Sequence, residues 1–410
     1  MRLRVGFFTN NYFPMLGGVP TAVETIRQGL EGLGHEVVIV APRMAGADDG
    51  DRWIIRVPAV PAPTYPDFAL PLPIGPALAR RLLALDLDVF HAHHPFLLGA
   101  SARRLARATR RPFVFTYHTL YDRYAHYVPL PRAMVARRAI RWSTGFADTA
   151  DLVLAPSDFV ARRLRAQGVR RPIEVLPTGI DLDRFRPGDR AAARQALGLD
   201  VGGRVLLYVG RLDREKNLEF LLDAVARVRT ARVRLLLVGR GMQATSLRRA
   251  AAARGLGEDR IELRGGSPPD GLPAYYRAAD AFVFTSTTET QGLAVLEAMA
   301  CGLPVVAVRA SGIEEVVAEG VSGLLVPEDA AAFAAATTQV LTDTDLAAKL
   351  AIGGREAAMP WASTALVRRL VAAYGRARGA PSWSRESSAT LCPSAGACPG
   401  RPAGEGGSDE

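Results

Sequence analysis

Cysteine is scarce in this chain, which contains three among 410 residues. Cys301, Cys392 and Cys398 are too few for the disulfide framework of a small secreted domain, and their spacing does not match that of a zinc site. We therefore predict neither a disulfide framework nor a cysteine-based metal site. The predicted compartment is the cytoplasm.

Long hydrophobic runs are also missing from the sequence. No apolar run approaches the roughly 18 residues that a membrane-spanning helix needs. The chain begins with basic residues and a short apolar run, but Asn10 and Asn11 end that run too early for a signal peptide. We interpret residues 3–8 as a first buried strand instead.

Acidic residues are nearly absent from the segment 101–141. Ten arginines stand there against one acid, Asp122, so this segment contributes ten minus one, or +9, to a chain whose net charge is +10. A basic surface this local suggests nucleic acid, an anionic membrane or an anionic substrate as a partner. The alternative is that arginine-rich codon usage has placed these side chains on solvated helix faces.

Apolar patterning accounts for most of the rest of the chain. Hydrophobic residues make up 49% and charged residues 22%, as in an ordinary globular protein, and the length is sufficient for two domains. Short apolar runs alternate with segments of helical spacing, which predicts a parallel sheet with crossover helices. Gly17 and Gly18 lie between the first strand and its helix, where they would let a ligand approach the backbone. No G-x-G-x-x-G occurs there, so a dinucleotide site lacks its main signature.

The stretch 281–304 predicts a strand, a polar turn and a helix. The first amides of such a helix have no partner within it and form an anion site. Glu289 lies in the turn and Glu297 about one and a half turns inside the helix. The amides would bind phosphates and the two carboxylates would bind hydroxyl groups, and a nucleotide sugar carries both. The alternative is that the two glutamates simply face solvent on an ordinary strand–helix unit. The amides in question belong to Gln291, Gly292 and Leu293.

Two cations follow another predicted strand, residues 205–209. Arg211 and Lys216 stand between this strand and the next helix, where they would neutralise a diphosphate. The alternative is that both are ordinary surface cations.

Histidines are few and partly clustered. His91, His93 and His94 end a strand, but no cysteine or glutamate completes a metal set, so we predict no metal site there. His118 follows the strand 112–116 within a stretch, 117–127, that is too polar and aromatic for a core. It would lie at the carboxyl end of the sheet, where such folds bind ligands.

Together these motifs resemble the retaining family-4 glycosyltransferases. Glu289 and Glu297 fit the E-x7-E motif, with an EAMA-x-G-x-P-V-V-A continuation, and residues 210–216 fit G-R-x-x-x-x-K. The loop Gly17-Gly18-Val19 matches the family's G-G-V loop, and the string from Tyr117 to Tyr127 resembles the diacylglycerol glucosyltransferase subgroup. The resemblance covers about residues 1–378.

The resemblance implies an α/β fold of the GT-B type, with two Rossmann-like domains whose parallel sheets face across a cleft. It places an acceptor-binding domain at 1–177, a nucleotide-sugar domain at 188–358 and a helix at 361–378 that packs back on the first domain. Residues 379–410, rich in Gly, Ser, Pro and Ala, are predicted to form a disordered tail.

The resemblance also implies roles for the site residues. Glu289 would orient the sugar hydroxyls, Glu297 would bind the ribose and His118 would contact the transferred sugar. The diphosphate would be held without a metal or a cofactor, and the loops 239–241 and 264–267 would frame the nucleobase. The residues that would stabilise the leaving diphosphate are Arg211, Lys216 and the amides of Gln291, Gly292 and Leu293, with the Gly17-Gly18 loop contacting donor or acceptor.

The predicted reaction is the transfer of a hexose, of the glucose or mannose class, from a UDP- or GDP-sugar to a hydroxyl acceptor. We expect this acceptor to be a membrane lipid such as diacylglycerol, and the protein to work in the cytoplasm or on the inner membrane face. A soluble sugar, a sugar phosphate or a polysaccharide precursor is the alternative acceptor. Three other classes remain open: a sugar-nucleotide epimerase, an inactive binding protein and an arginine-rich nucleic-acid binder, the last of which would leave both glutamates unexplained.

Overall fold

The computed structural model of the protein describes residues 2–379, apart from 48–49, 63–64, 73, 129 and 311. The first part of the chain forms a seven-stranded sheet and a separate two-stranded hairpin. Its elements in chain order are β1 (Arg4–Phe8), α1 (Gly18–Gly32), β2 (Glu36–Pro42), β3 (Ile54–Val57), β4 (Ala59–Ala62), β5 (Tyr65–Pro71), α2 (Pro76–Leu83), β6 (Val89–Ala92), α3 (Leu98–Thr109), β7 (Phe113–Thr116), α4 (Arg132–Ala147), β8 (Leu152–Ala155), α5 (Asp158–Ala166) and β9 (Ile173–Val175).

The second part of the chain forms a six-stranded sheet. Its elements are α6 (Arg190–Ala196), β10 (Arg204–Val209), α7 (Leu218–Val225), β11 (Val233–Val238), α8 (Ala244–Ala253), β12 (Ile261–Arg264), α9 (Leu272–Ala278), β13 (Ala281–Phe284), α10 (Leu293–Ala300), β14 (Val305–Val308), β15 (Leu324–Val326), α11 (Ala330–Thr342) and α12 (Thr344–Ala358), followed by α13 (Ser363–Gly379). The predicted tail at 379–410 lies outside the described residues, except for Gly379.

All neighbouring strands in the two large sheets run parallel. Their sequences are almost continuously apolar because both faces of each sheet are covered. In β1, Phe7 and Phe8 are both fully buried but belong to cores on opposite faces. The sequence-based prediction of parallel α/β sheets is confirmed.

Each sheet has a point where the strand order reverses. The order is β3-β2-β1-β6-β7-β8-β9 in the first sheet and β12-β11-β10-β13-β14-β15 in the second. The reversals fall between β1 and β6 and between β10 and β13, and open α/β sheets bind ligands at such points, beyond the carboxyl ends of the strands. The loops that carry Gly17, Arg211 and Glu289 follow β1, β10 and β13, so each lies at a reversal.

The C-terminal helix α13 returns to the first sheet. Its residues Leu370 and Tyr374 are buried in the same core as Val23 and Leu30 of α1. A Cβ added to Gly29 of α1 would lie 2.5 Å from a methyl carbon of Val367, so only glycine allows the two helices to approach this closely.

Two local predictions were incomplete. The proline content of the segment after residue 60 predicts a loop, but the segment contains the antiparallel hairpin β4–β5. Prolines weaken a strand pattern because they donate no ladder hydrogen bond, and this hairpin stands outside both large sheets. The stretch after His118 contains a 3₁₀ helix, Tyr121–Tyr127.

Candidate active site

The two reversal points face each other across a narrow cleft. A Cβ on Gly17, in the first part of the chain, would lie 3.9 Å from Cδ of Arg211 in the second. Thr290 donates a hydrogen bond of 3.1 Å from its hydroxyl to the carbonyl oxygen of His118. The structure therefore brings the loops after β1, β7, β10 and β13 into one site.

Lys216 and Glu289 form a close ion pair in this cleft. The distance from Lys216 Nζ to Glu289 Oε1 is 2.6 Å, and both side chains are largely buried. Burial is the largest single influence and opposes both charges, but the surrounding charges and hydrogen bonds, above all those between the two groups, together outweigh it: the pKa of Lys216 is raised and the pKa of Glu289 is lowered. Both groups are ionised at neutral pH, so the site holds a carboxylate beside an ammonium group.

Arg211 is held by two acids of its own loop. It pairs with Asp213 at 3.3 Å and with Glu215, and both carboxylate side chains are only 1% exposed. These two acids fix the orientation of the guanidinium group, and its charge acts on Glu289, the partner of Lys216. A diphosphate entering the cleft would meet both cations.

The start of α10 provides hydrogen-bond donors. Gly292 precedes the helix with φ 87°, a left-handed conformation that favours glycine. Among the described residues, no hydrogen-bond acceptor receives the backbone N–H of Gln291, Gly292 or Leu293. These amides are available to an anion, and the helix dipole favours one there.

Gln291 has a further role that its backbone position did not predict. Its side-chain amide donates to the carbonyl of Thr178 at 2.7 Å and accepts from the Thr178 N–H at 2.8 Å. Thr178 belongs to the segment that leaves the first sheet. The side chain of Gln291 therefore fixes the amide row to the connection between the two parts of the chain.

Glu297 lies deeper than Glu289 and is 6% exposed. The hydroxyl of Tyr276 donates to its Oε2 at 2.6 Å. Burial raises the pKa of Glu297 to about 7, although the hydrogen bond from Tyr276 and the charge of Arg184 oppose this shift. The two glutamates of the motif thus differ in charge state, since Glu289 is ionised and Glu297 titrates near neutrality.

A cavity of about 270 Å³ opens beside these groups. It is lined by Leu212 and by the loops after β11 and β12, which include Gly239, Arg240 and Gly265. These are the loops predicted to frame a nucleobase, and they adjoin the Arg211 loop.

Comparison with known proteins identifies the family. Residues 16–184 match the family described as Glycosyltransferase Family 4, and residues 203–343 match Glycosyl transferases group 1. The alpha-monoglucosyldiacylglycerol synthase of Streptococcus pneumoniae is 34% identical over 316 residues, which cover 74% of this chain and 71% of the relative. The D-inositol 3-phosphate glycosyltransferase of Frankia alni is 37% identical and covers 68% of this chain and 72% of the relative.

The chain belongs to the family-4 glycosyltransferases.

Solved structures agree with this assignment. The sucrose-phosphate synthase of Thermosynechococcus elongatus superposes with a TM-score of 0.75 at 25% identity and covers 92% of this chain and 99% of its own. The Anabaena protein HepE, in complex with UDP-glucose, has a TM-score of 0.74 at 21% identity, with 92% and 100% covered. These structures establish the GT-B fold, and the curated relatives support a general glycosyl-transfer activity for this family-4 member.

Sequence reasoning missed several contacts in the glycosyltransferase cleft. Tyr127 donates a hydrogen bond of 3.0 Å to Glu215, so the 3₁₀ helix of the first part of the chain reaches the Arg211 loop of the second. Tyr124 lies close enough to Lys216 and Arg211 for their charges to act on its pKa. The aromatic string at 117–127 indicated a ligand-facing segment, but nothing in it indicated which acid Tyr127 would meet.

The string at 117–127 was predicted to lie outside the core, but part of it is buried there. Tyr117 is 2% exposed and its hydroxyl lies 2.9 Å from that of Ser143 on α4. The string follows a buried strand, and its first tyrosine continues into the core with its one polar atom paired. That part of the prediction was wrong.

The surface of α4 combines cations with exposed apolar side chains. Trp142 is 60% exposed and Met134 48%, and Leu130 just before the helix is 56% exposed. Arg132, Arg137, Arg138 and Arg141 are exposed on the same helix. Across the part of the chain described by the structure, every helix is too short or too polar to traverse a lipid bilayer.

Proposed function

We propose that this glycosyltransferase moves a hexose from a UDP- or GDP-sugar to a hydroxyl group of a membrane lipid such as diacylglycerol, with retention at the anomeric carbon. The observation that carries the donor part is a row of three amides beside Lys216 and Arg211 that have no acceptor in the described part of the chain. These groups suit the two phosphates of a nucleotide sugar.

The transfer breaks the bond between the anomeric carbon and the diphosphate and forms one to the acceptor oxygen. Negative charge accumulates on the departing diphosphate while the sugar becomes oxocarbenium-like. The two cations and the amides stabilise the negative charge on the departing diphosphate, because fixed charges and dipoles act strongly in a site that excludes water. The ionised Glu289 lies beside Lys216, where it orients sugar hydroxyls, and Glu297 meets the ribose.

No metal ion is part of this proposal. Lys216, Arg211 and the α10 amides supply the positive potential that a divalent cation would otherwise provide. We expect EDTA to leave the rate unchanged and Lys216→Ala or Arg211→Ala to weaken donor binding. Activity that is lost in EDTA and restored by magnesium would contradict this part.

Two observations support a lipid acceptor. The relatives from Streptococcus pneumoniae and Acholeplasma laidlawii are both named alpha-monoglucosyldiacylglycerol synthases. In addition, α4 exposes arginines beside Trp142 and Met134, a composition typical of helices that lie on anionic membranes. The protein would then work from the cytoplasm while bound peripherally to the membrane.

The second candidate acceptor is a soluble sugar phosphate. It is favoured by the 37% identity to a D-inositol 3-phosphate glycosyltransferase. In that case the excess of arginine in the first part of the chain would serve an anionic acceptor rather than a membrane.

The deciding experiment is a two-way screen with product analysis by mass spectrometry. Radiolabelled or isotopically labelled UDP- and GDP-hexoses are each incubated with diacylglycerol vesicles, total lipid extract, inositol phosphate and water alone. We expect a hexosyl-lipid from one nucleotide class. A preferred phosphorylated sugar acceptor would establish the second candidate, and conversion of the donor to an epimer without transfer would refute both.

A further inference from the structure

Three histidine rings form a row behind the cleft. His91 and His93 point to the same side, as alternate residues of an extended segment do, and their ring centroids are 4.3 Å apart. His118 continues the row, 5.2 Å from His93 and within 22° of parallel to it. His91 and His93 are fully buried, whereas His118 is only partly buried.

The ring nitrogens of this row are not equally satisfied. His91 uses both: Nδ1 lies 2.7 Å from the Tyr374 hydroxyl and Nε2 lies 2.7 Å from the Thr116 hydroxyl. His93 uses only one, since its Nδ1 lies 2.9 Å from Nε2 of His118. Nε2 of His93 is buried and has no hydrogen-bond partner among the described residues.

All three rings are neutral at physiological pH. Burial lowers the pKa of His118 to about 4 and that of His91 to about 3, and it holds the pKa of His93 well below its usual value. A neutral imidazole carries one N–H, so the hydrogen bond between His93 and His118 allows two arrangements. Either His93 donates from Nδ1 to His118, or His118 donates from Nε2 to His93.

The unpartnered nitrogen of His93 decides between the two arrangements. If His118 donated, the single proton of His93 would sit on Nε2 as a buried N–H without an acceptor. If His93 donates, that nitrogen is a bare lone pair. Buried N–H groups without acceptors are rarer than acceptors that lack a donor. The ring of Phe7, which packs edge-on against His93 at 4.9 Å, offers no oxygen or nitrogen to such a proton.

We propose that His93 is a positioning residue that holds His118 in the neutral tautomer protonated on Nδ1. His118 then accepts from His93 through Nε2 and presents an N–H, not a lone pair, on the nitrogen that remains for a ligand. That N–H suits an oxygen of the bound nucleotide sugar. His118 therefore acts as a hydrogen-bond donor and not as a general base. The role of this N–H toward the donor rests on the proposed function. The tautomer of His118 does not depend on it.

The tautomer is measured first, on the full chain without ligand. In protein labelled with ¹⁵N-histidine, the ¹⁵N shifts of the imidazole nitrogens separate protonated from unprotonated positions, and single-histidine variants assign the signals. We expect His118 protonated on Nδ1 alone and His93 protonated on Nδ1 alone. A His118 protonated on Nε2, or on both nitrogens, at neutral pH would overturn the proposal.

Two substitutions then test the consequence for turnover. His93→Leu removes the donor, while His93→Asn places an amide N–H near the position of Nδ1. We expect His93→Leu to lower kcat by about 10- to 100-fold with little change in donor KM, because the misplaced group acts at the reacting centre. His93→Asn should recover part of this loss and keep the Nδ1–H signal of His118.

His91→Asn is the matched control, because His91 belongs to the same row but does not contact His118. It should lower the unfolding temperature, since His91 bonds Tyr374 and Thr116, and leave the His118 signals in place. An equal loss of kcat in His91→Asn and His93→Leu would show that the row is only structural. If no donor supports transfer, the proposed function fails while the ¹⁵N result still decides the tautomer. If transfer occurs with the opposite tautomer, only this inference fails.

Discussion

Glu289 is the residue on which the proposed chemistry depends most directly. Its carboxylate is ionised because Lys216 lies 2.6 Å away and lowers its pKa, despite burial. Glu289→Gln keeps the size and the hydrogen-bonding shape of the side chain but removes the charge. We expect turnover to fall about 100-fold, a loss of a few kcal/mol of transition-state stabilisation. The measurement is kcat with the best donor found in the screen.

The control for this substitution is Glu314→Gln. Glu314 is half-exposed and pairs with Arg309 at 3.6 Å, on a segment of the same part of the chain. Both variants should remain folded by circular dichroism. Similar turnover in Glu289→Gln and in the control would remove Glu289 from the proposed role.

The raised pKa of Glu297 leads to a prediction about how stability depends on pH. Its folded pKa of about 7 lies above the usual 4.5, so folding favours the protonated form. Its contribution to stability is complete below pH 4.5 and is lost as pH rises through about 7. Because a tenfold change in an equilibrium constant is worth about 1.4 kcal/mol, the loss is at most about 3 kcal/mol.

Glu297→Gln removes this titration and keeps the hydrogen bond with Tyr276. We expect the variant to gain stability relative to the unmodified chain between pH 4.5 and 8, with the difference growing toward alkaline pH. Chemical unfolding at a series of pH values measures it. A difference that does not change with pH would show that Glu297 does not titrate in this range.

Residues whose chemistry depends on a local motif were predictable from sequence. Arg211, Lys216 and Glu289 follow strands that end at the same edge of one sheet, and the structure brings them together. Glu215, Tyr127 and His93 were not predicted, because their meaning depends on partners far along the chain. Tyr127, for example, meets Glu215 88 residues away.

At the scale of the elements, strands were easier to predict than the contacts between the two sheets. Buried parallel strands give continuous apolar runs, and β1, β10 and β13 all showed one. The hairpin β4–β5 was missed because its prolines mask any alternation. The packing of α5 against the second part of the chain had no sequence signal at all.

In that contact, the first backbone amides of α5 bind the carboxylate of Glu315. Glu315 accepts from the N–H of Asp158 at 2.8 Å and from the N–H of Phe159 at 2.5 Å, the first amides of α5. The acid thus links the two parts of the chain on the side of the cleft. Because Asp158 is exposed and Glu315 is partly exposed, each of these hydrogen bonds contributes about 0.5–1 kcal/mol to the arrangement that it joins.

We expect Glu315→Ala to favour an open cleft and to raise the donor KM about tenfold, since roughly 1.4 kcal/mol is lost from closure. The radius of gyration from small-angle X-ray scattering should increase with it. Glu314→Ala is the matched control, because the neighbouring Glu314 pairs within its own part of the chain. Equal effects in the two variants would contradict a specific role for the α5 contact.

At the scale of the whole molecule, the charge is distributed unevenly. The segment 101–141 carries ten arginines and one acid, and it lies entirely in the first part of the chain. Its helix α4 also exposes Trp142 and Met134. From its sequence context alone, Trp142 could belong either to a core or to a membrane-facing surface. The structure answers this: its ring stacks on Phe96 at 5.6 Å and is still 60% exposed.

This surface leads to a prediction about membrane binding. Each arginine close to an anionic leaflet contributes about 1 kcal/mol, so the four on α4 are sufficient for reversible attachment. We expect co-sedimentation with vesicles to increase with the fraction of anionic lipid and to decrease with salt. Arg137→Gln with Arg138→Gln should weaken binding about 30-fold, because roughly 2 kcal/mol is removed.

Arg227→Gln with Arg229→Gln removes the same charge from another exposed surface and should leave binding unchanged. Trp142→Gln should weaken binding without altering its dependence on salt, since an apolar anchor is lost and no charge changes. Vesicle binding that changes with neither salt nor the fraction of anionic lipid would exclude this electrostatic attachment. An equal loss of vesicle binding in the two double-arginine variants would show that net charge matters rather than the surface of α4.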